Sequence, residues 1–225
     1  MIDMLQITER WKTTFPETAV GAMMVSVAGD AAQDSQAPIR HAVENMLREQ
    51  YISRAQLQAH PVIAAYTDYY NRFRKTYHVL LQAESVALKG KGILSPNPLV
   101  GAMFICELKN FLLTAVHDSD AIRFPLMMDA AQGDETYTLM RQELQQIKTG
   151  DMLLKDQKEI LGCIVYGPDY QTRILPESKH AIYIVYGVPK ITGDMIRVHF
   201  ADIRQALSNV WPQVQFLGET IIEND

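Results

Sequence analysis

The chain has 225 residues, of which 48% are hydrophobic and 21% charged, and its formal net charge is −5. This composition is typical of a folded globular protein and excludes a disordered or low-complexity chain. The length favours one large domain or two closely joined halves, with enough core to fold without disulfides. Cys106 and Cys163 both stand beside isoleucines, so we interpret them as buried thiols.

Neither the start of the chain nor any internal run is typical of a membrane or secretion signal. The segment MIDMLQITERW contains acidic residues and no apolar centre. The longest nearly apolar run, at 19–29, is far shorter than the ~20 residues that a membrane span requires. We therefore expect a soluble, cytoplasmic protein with no membrane partner.

Hydrophobic periodicity divides the first half of the chain into two strands followed by helices. We predict strands at 4–11 and 19–28, a loop at 29–37, helices opening at Pro38, Ser53 and Pro61, a short helix at 83–89, and a long helix from Asn97-Pro98. On the helix that begins at Pro61, apolar and aromatic residues recur on one face. This spacing favours core packing over a ligand cage for Ile63, Tyr66, Tyr70 and Phe73.

The second half is richer in short β-type runs separated by glycines and aspartates. The predicted elements are strands at 122–128, 136–140, 152–155, 160–166, 181–186 and 216–222, and a helix at 193–209. Helices thus gather in residues 1–110 and strands in 111–225, which predicts an α+β fold formed as a single domain over 1–225.

Positive charge concentrates between residues 40 and 91, although the chain as a whole is acidic. Such an asymmetry permits a basic face that binds phosphates, and solvated helix surfaces are the alternative explanation. The candidate RNA-binding residues in this segment are Arg72, Arg74, Lys75, Lys89 and Lys91.

The sequence His117-Asp118-Ser119-Asp120 places three potential metal ligands within four residues. The six histidines form no H-x-x-x-H pair, and Asp and Ser commonly bond their own backbone in turns. We interpret this segment as a turn and predict neither a metal nor a cofactor. P-loop, Rossmann and G-x-S-x-G motifs are also missing from the sequence.

Three segments carry a resemblance to a known family: SVALKGKGILSPNPLVGAMFICELKNFLLTAVHDSDAI, GDMLLKDQKEILG and YGPDYQTRILPESKHAIYIVYG. In their order and spacing they resemble the free-standing B3/B4 domain proteins. These are relatives of the editing and tRNA-associated module of the phenylalanyl-tRNA synthetase beta subunit. The resemblance implies an α+β fold with a mixed β-sandwich around a central pocket.

The resemblance also implies a function, the hydrolysis of mischarged aminoacyl-tRNA, chiefly tyrosyl-tRNA, in trans. The alternative is a non-catalytic module that binds tRNA, another RNA or a small amino-acid-like metabolite. The chain departs from the synthetase pattern at Val100–Phe104, where apolar residues replace an Asp and an Asn, and at Ala115, where the synthetase has a histidine. If 113–118 is extended, His117 shares a face with Ala115 and can supply the imidazole.

The expected site residues follow from this resemblance and from their chemistry. Asp118 or Glu107 is expected to orient water or the substrate amine, with His117 as the imidazole. Thr172 and Arg173 match a family Thr-Lys/Arg pair and are expected to bind the acyl or phosphate end. The remaining expected substrate-binding residues are Asn97, Asn110, Tyr166 and Asp169.

Overall fold

A computed structural model of the chain describes residues 4–29, 31, 34–94 and 97–224. The helices are α1 (Glu9–Thr14), α2 (Ala37–Gln50), α3 (Arg54–Gln58), α4 (Pro61–Asn71), α5 (His78–Ala87), α6 (Pro98–Asn110) and α7 (Gly193–Ser208). The strands are β1 (Leu5–Ile7), β2 (Thr18–Ser26), β3 (Thr114–Asp118), β4 (Leu126–Ala130), β5 (Thr136–Thr138), β6 (Leu144–Gln146), β7 (Met152–Lys155), β8 (Ile160–Cys163), β9 (Gly167–Pro168), β10 (His180–Tyr186) and β11 (Gln215–Asn224).

The strands form two main sheets and one small hairpin, so the predicted α+β class is confirmed. An antiparallel sheet has the order β11-β2-β10-β3, and a mixed sheet has the order β1-β4-β7-β8-β9 with β1 parallel to β4. The hairpin consists of β5 and β6. Both β1 and β2 come from the helix-rich half, yet each pairs with strands of the second half, and residues of both main sheets share one hydrophobic core.

The predicted strand at 4–11 is wrong beyond its first residues. Strand β1 ends at Ile7, and the Thr8 hydroxyl accepts a hydrogen bond from the Trp11 N–H, which caps helix α1. A threonine followed at once by an acidic residue is a helix start signal, and here it overrides the apolar alternation. Trp11 consequently enters the core from a helix.

Other boundaries also differ from the sequence prediction. The run at 122–128 is a strand only from Leu126, since a 3-10 turn occupies 119–121 and Pro125 has no N–H to donate to a sheet. Helix α5 begins at His78, five residues before the predicted short helix. The predicted loop at 29–37 falls partly on residues 30, 32 and 33, which lie outside the described residues.

The aromatic face of α4 is core, as its spacing predicted. Ile63, Tyr66, Tyr70 and Phe73 are all buried. The Tyr66 and Tyr70 hydroxyls do not remain unpaired, since each donates to a backbone carbonyl of another element. No helix among the described residues combines the length and apolarity needed to cross a membrane.

Helix α7 packs against β2 at a glycine. A Cβ atom at Gly21 would lie 2.7 Å from Ile196 Cγ2 and 2.9 Å from Phe200 Cε2, both on α7. The missing side chain therefore lets the helix approach the sheet closely, and Phe200 is fully buried there. The position of α7 also matters for the functional region, because α7 packs along α6.

We predict that Gly21→Ala lowers the free energy of unfolding by about 1–3 kcal/mol, because the added methyl overpacks the contact with α7. Chemical denaturation monitored by circular dichroism measures the change. Gly92→Ala is the matched control, since its Cβ would meet nothing closer than 3.4 Å, and it should change stability little. Equal stability of the two variants would contradict the proposed close packing.

Candidate functional site

An apolar pocket of about 280 Å³ lies between α6, β3 and the chain around β9. Its wall is mostly aliphatic, aromatic and sulfur-containing, and it includes a few polar groups. The lining residues are His78, Val100, Met103, Phe104, Glu107, Leu113, Thr114, Ala115, Val116, Met140, Cys163, Ile164, Gly167, Pro168, Arg173, Ile174 and Tyr186. Pockets that bind small molecules commonly have this apolar wall with few polar groups.

Glu107 supplies a buried carboxyl to this pocket. It lies on α6, four residues after Met103, and is only 1% exposed. Helix α6 ends at Asn110, and Phe111 adopts a left-handed backbone that turns the chain back. This turn brings the Thr114 N–H within 3.0 Å of Glu107 Oε1. The hydrogen bond fixes the carboxyl beside the pocket.

The electrostatic environment of Glu107 makes it a weak acid. Burial raises its pKa to about 8, although the Thr114 N–H partly opposes the shift. No lysine, arginine or histidine among the described residues forms an ion pair with it. Without such a cation the carboxyl is largely protonated at neutral pH, and proton transfer near neutral pH becomes possible.

Two further polar groups stand at the pocket. Arg173 donates from Nη1 to the Tyr170 carbonyl at 2.7 Å, and its guanidinium lies 3.7 Å from the centre of the Tyr170 ring. His78 begins α5, and its Nδ1 lies 3.3 Å from the Tyr70 hydroxyl. Burial lowers the pKa of His78 to about 4, so this imidazole is neutral at physiological pH.

His117 lies outside the pocket lining, in a buried chain of hydrogen bonds at the end of β3. Its Nδ1 is 2.6 Å from Thr172 Oγ1, and the Thr172 hydroxyl donates to the Asp169 carboxylate. Burial alone would raise the pKa of Asp169, but the His117 imidazole, 3.7 Å away, and the hydrogen bonds from Thr172 hold it below its ordinary value. Because Thr172 donates to the carboxylate, its oxygen accepts from His117 Nδ1–H.

Asp118 makes hydrogen bonds within its own turn and to a neighbouring segment of the chain. Its Oδ1 accepts from the Asp120 N–H, its Oδ2 accepts from the Ser178 hydroxyl, and its own N–H donates to the Thr172 carbonyl at 2.7 Å. The residues of this segment that the structure describes form no cluster able to hold a metal ion. His117 and Asp118 together therefore fix the chain that leads into Arg173.

Asn110 belongs to a polar network that joins α6, α7 and β3. Its Nδ2 donates to Asp202 at 2.9 Å and lies 3.0 Å from His199 Nδ1, while Lys109 Nζ lies 2.6 Å from Asp202. The Thr114 hydroxyl donates to a backbone carbonyl, so it accepts from His199 Nε2 at 2.8 Å. Burial lowers the pKa of His199 to about 4, so its imidazole is neutral, and both ring nitrogens are hydrogen-bonded.

The remaining predicted site residues, Asn97, Tyr166 and Asp169, lie outside the apolar pocket. Asn97 caps α6 by accepting the Leu99 N–H at 2.8 Å. The Tyr166 ring lies 5.5 Å below the Lys75 ammonium. Asp169 borders a larger cleft of about 740 Å³ between the β5–β6 hairpin and the turn after β7, where Lys158 and Glu159 are exposed. Of the nine predicted substrate or catalytic residues, only Glu107 and Arg173 line the apolar pocket.

Sequence reasoning missed most of the pocket wall. Residues such as Met140, Cys163 and Tyr186 come from three separate strands or turns, and their types predict only burial. Glu107 had a usable signal, because a carboxylate at helical spacing from Met103 on an otherwise apolar helix is unusual. The His199 network carried no comparable signal, since its members lie on three elements.

The basic residues fall in two groups. Arg72 and Arg74 line an open hollow of about 380 Å³ together with Lys148, whose Nζ donates to the Phe73 carbonyl at 2.9 Å. Lys75 lies near them, just before α5. In contrast, Lys89 and Lys91 follow the other end of α5, about 15 Å away along a ten-residue helix, and Lys89 pairs with Glu84 at 3.0 Å.

Comparisons with known proteins give little beyond this geometry. No family model matches the sequence, and no curated protein matches it. Among solved structures, the chain is similar to an N-terminal fragment of the phenylalanyl-tRNA synthetase beta subunit from Pyrococcus horikoshii, with 14% identity and a TM-score of 0.49. The match covers 97% of this chain and 50% of the fragment, so the chain spans about half its length. A likeness this distant assigns neither a family nor a ligand.

We predict that stability falls as the pH drops from about 6.5 towards 4, because the pKa of buried His199 is lowered to about 4 and the unfolded chain takes up the proton first. His199→Gln should make the free energy of unfolding less dependent on pH in this window, as denaturant titrations at several pH values can measure. His180→Gln, at an exposed imidazole, is the control. If the His199 variant has the same pH dependence of stability as the unaltered chain, the pH dependence does not come from His199.

Proposed function

We propose that the apolar pocket binds a small apolar molecule with an amine, such as an amino acid or the aminoacyl end of a charged tRNA. The observation that carries this proposal is the buried Glu107 carboxyl, which has no cationic partner among the described residues. An ammonium group from a ligand would supply the missing charge, and the carboxyl would then lose its proton. The apolar wall would hold the ligand's side chain.

Arg173 completes the proposed ligand chemistry. Its guanidinium has five N–H donors, and the described hydrogen bond to Tyr170 uses one nitrogen. The remaining donors suit a carboxylate, an ester carbonyl or a phosphate at the other end of the ligand. His117, Asp118 and Thr172 then act as positioning residues, because they hold the chain immediately before Arg173.

The predicted ligand is tested by calorimetry with a panel of apolar and aromatic amino acids and their amides. Glu107→Gln should weaken binding of the best ligand roughly 10- to 100-fold, because it removes a charged hydrogen bond. Affinity for the unaltered protein should rise with pH up to about 8, where the Glu107 carboxyl ionises.

Glu44→Gln is the matched control for this experiment. Glu44 is also buried on a helix and accepts a backbone N–H, from Ile93 at 2.8 Å, but it lies outside the pocket. Its variant should bind normally. Binding by the Glu107 variant equal to that of the unaltered chain, or no binding of any panel member, would reject the proposal.

Hydrolysis of an aminoacyl ester is the second candidate function, favoured by a carboxyl in the pocket whose pKa is near 8. In this reaction water attacks the ester carbonyl carbon while the Glu107 carboxylate accepts the water's proton. The bond to the ribose oxygen breaks, and Glu107 returns the proton to that oxygen. The products are the free amino acid and uncharged tRNA.

We assign the contact with tRNA to the basic group at 72–75 together with Lys148. Arg72, Arg74, Lys75 and Lys148 form no ion pair with a carboxylate in the described part of the chain. Lys75 stands three residues before His78, which lines the pocket. RNA phosphates bound here would bring an attached aminoacyl group towards the pocket. Lys89 and Lys91, beyond the other end of α5, are not part of this group.

For the hydrolytic function we predict release of amino acid from at least one mischarged tRNA, at a rate that increases with pH to about 8. Glu107→Gln should reduce the rate by at least about 100-fold, because a general base is removed. Single-turnover assays with labelled aminoacyl-tRNAs measure it. If no tRNA in the panel is deacylated, hydrolysis is excluded and the binding prediction is judged by calorimetry alone.

A further inference from the structure

Strand β11 leaves one edge of the antiparallel sheet open. It has ten residues, which make an edge of about 33 Å, and among the described strands it pairs with β2 alone. In the part of the chain that the structure describes, no backbone hydrogen bond joins the outer edge of β11 to another segment. At the opposite edge of the sheet, β3 is mostly buried and Asp118 N–H bonds the Thr172 carbonyl.

The usual devices that prevent edge pairing are weak in β11. Proteins protect such edges with lysine, proline, short strands or unpaired charges. This strand contains neither lysine nor proline, and its only irregularity is a bulge between Phe216 and Gly218. Its two acidic side chains are already neutralised, because Glu219 pairs with Arg204 and Glu223 pairs with Arg197 of α7. The segment 219–224 therefore presents a regular, largely charge-compensated edge.

We propose that this edge binds the same edge of a second copy of the chain, so that two antiparallel sheets join into one across a two-fold axis. An antiparallel pair is self-complementary, as a symmetric dimer requires. With the axis through Thr220, Glu219 lies opposite Ile221 of the second copy, and no two glutamates are directly opposed. The regular pairing is centred on 219–221, because residues 222–224 lie opposite the bulged residues 216–218. Thr220 then faces its own copy, a favourable cross-strand pair.

The dimer is measured by sedimentation velocity over a range of protein concentrations. We expect a concentration-dependent dimer of the unaltered chain. Thr220→Lys should weaken it by at least about fivefold, because two ammonium groups become directly opposed. Val198→Lys, at a 61% exposed residue of α7, is the control and should dimerise normally.

A charge-rescue experiment separates dimerisation from folding. An equimolar mixture of Thr220→Lys and Thr220→Glu chains should form a heterodimer, although each variant alone is mainly monomeric. A monomer at every concentration of the unaltered chain would overturn the proposal. A dimer that Thr220→Lys does not weaken would also overturn it, because the interface would then lie elsewhere or the edge would bind another protein.

Discussion

The pocket depends on the way helix α4 is fixed between the two main sheets by its tyrosine hydroxyls. Tyr66 donates to the Tyr186 carbonyl at the end of β10, and Tyr70 donates to the Ile164 carbonyl just after β8. Both acceptor residues line the pocket. Each such buried hydrogen bond contributes about 1 kcal/mol, but leaving a carbonyl unpaired would cost more. The same bonds that stabilise the core therefore also hold two sides of the pocket at a set distance.

The pKa values of two buried carboxyls, those of Asp129 and Glu107, shift in opposite directions. Asp129 is also almost inaccessible to solvent, although it lies nearer the surface than Glu107, and burial alone would raise its pKa. Arg10 and Lys155 each lie 2.8 Å from it, and they hold its pKa well below the ordinary value. Among the described residues, Glu107 has a single backbone N–H in place of two cations, so burial dominates and its pKa is raised. In the described part of the chain, one buried carboxyl thus has cationic partners and the other has none, and a strongly shifted pKa of the second kind is typical of functional sites.

Local sequence patterns predicted a feature correctly where that feature depends on a single helix, such as its first residue or its buried face. Ser53, Pro61 and Asn97 each stand at the start of a helix, and the Ser53 and Asn97 side chains accept a hydrogen bond that caps it. The tyrosine face of α4 was correctly assigned to the core, because its helical spacing depends only on neighbouring residues. The prediction of a strand at 4–11 was wrong because the threonine at position 8 caps a helix. Hydrophobicity averaged over several residues does not reveal the effect of a single capping residue.

The sequence by itself determined the α+β class, most helices, and a carboxylate of unusual setting on the apolar helix α6. Only the tertiary structure decided that Glu107 and Arg173 share a pocket while His117, Thr172 and Asp169 form a separate buried chain. The physical reason is that the pocket walls come from segments distant in the chain, brought together by sheet pairing and by the tyrosine hydrogen bonds. Residue type and spacing specify which side chains are buried, but the three-dimensional packing determines which of them meet.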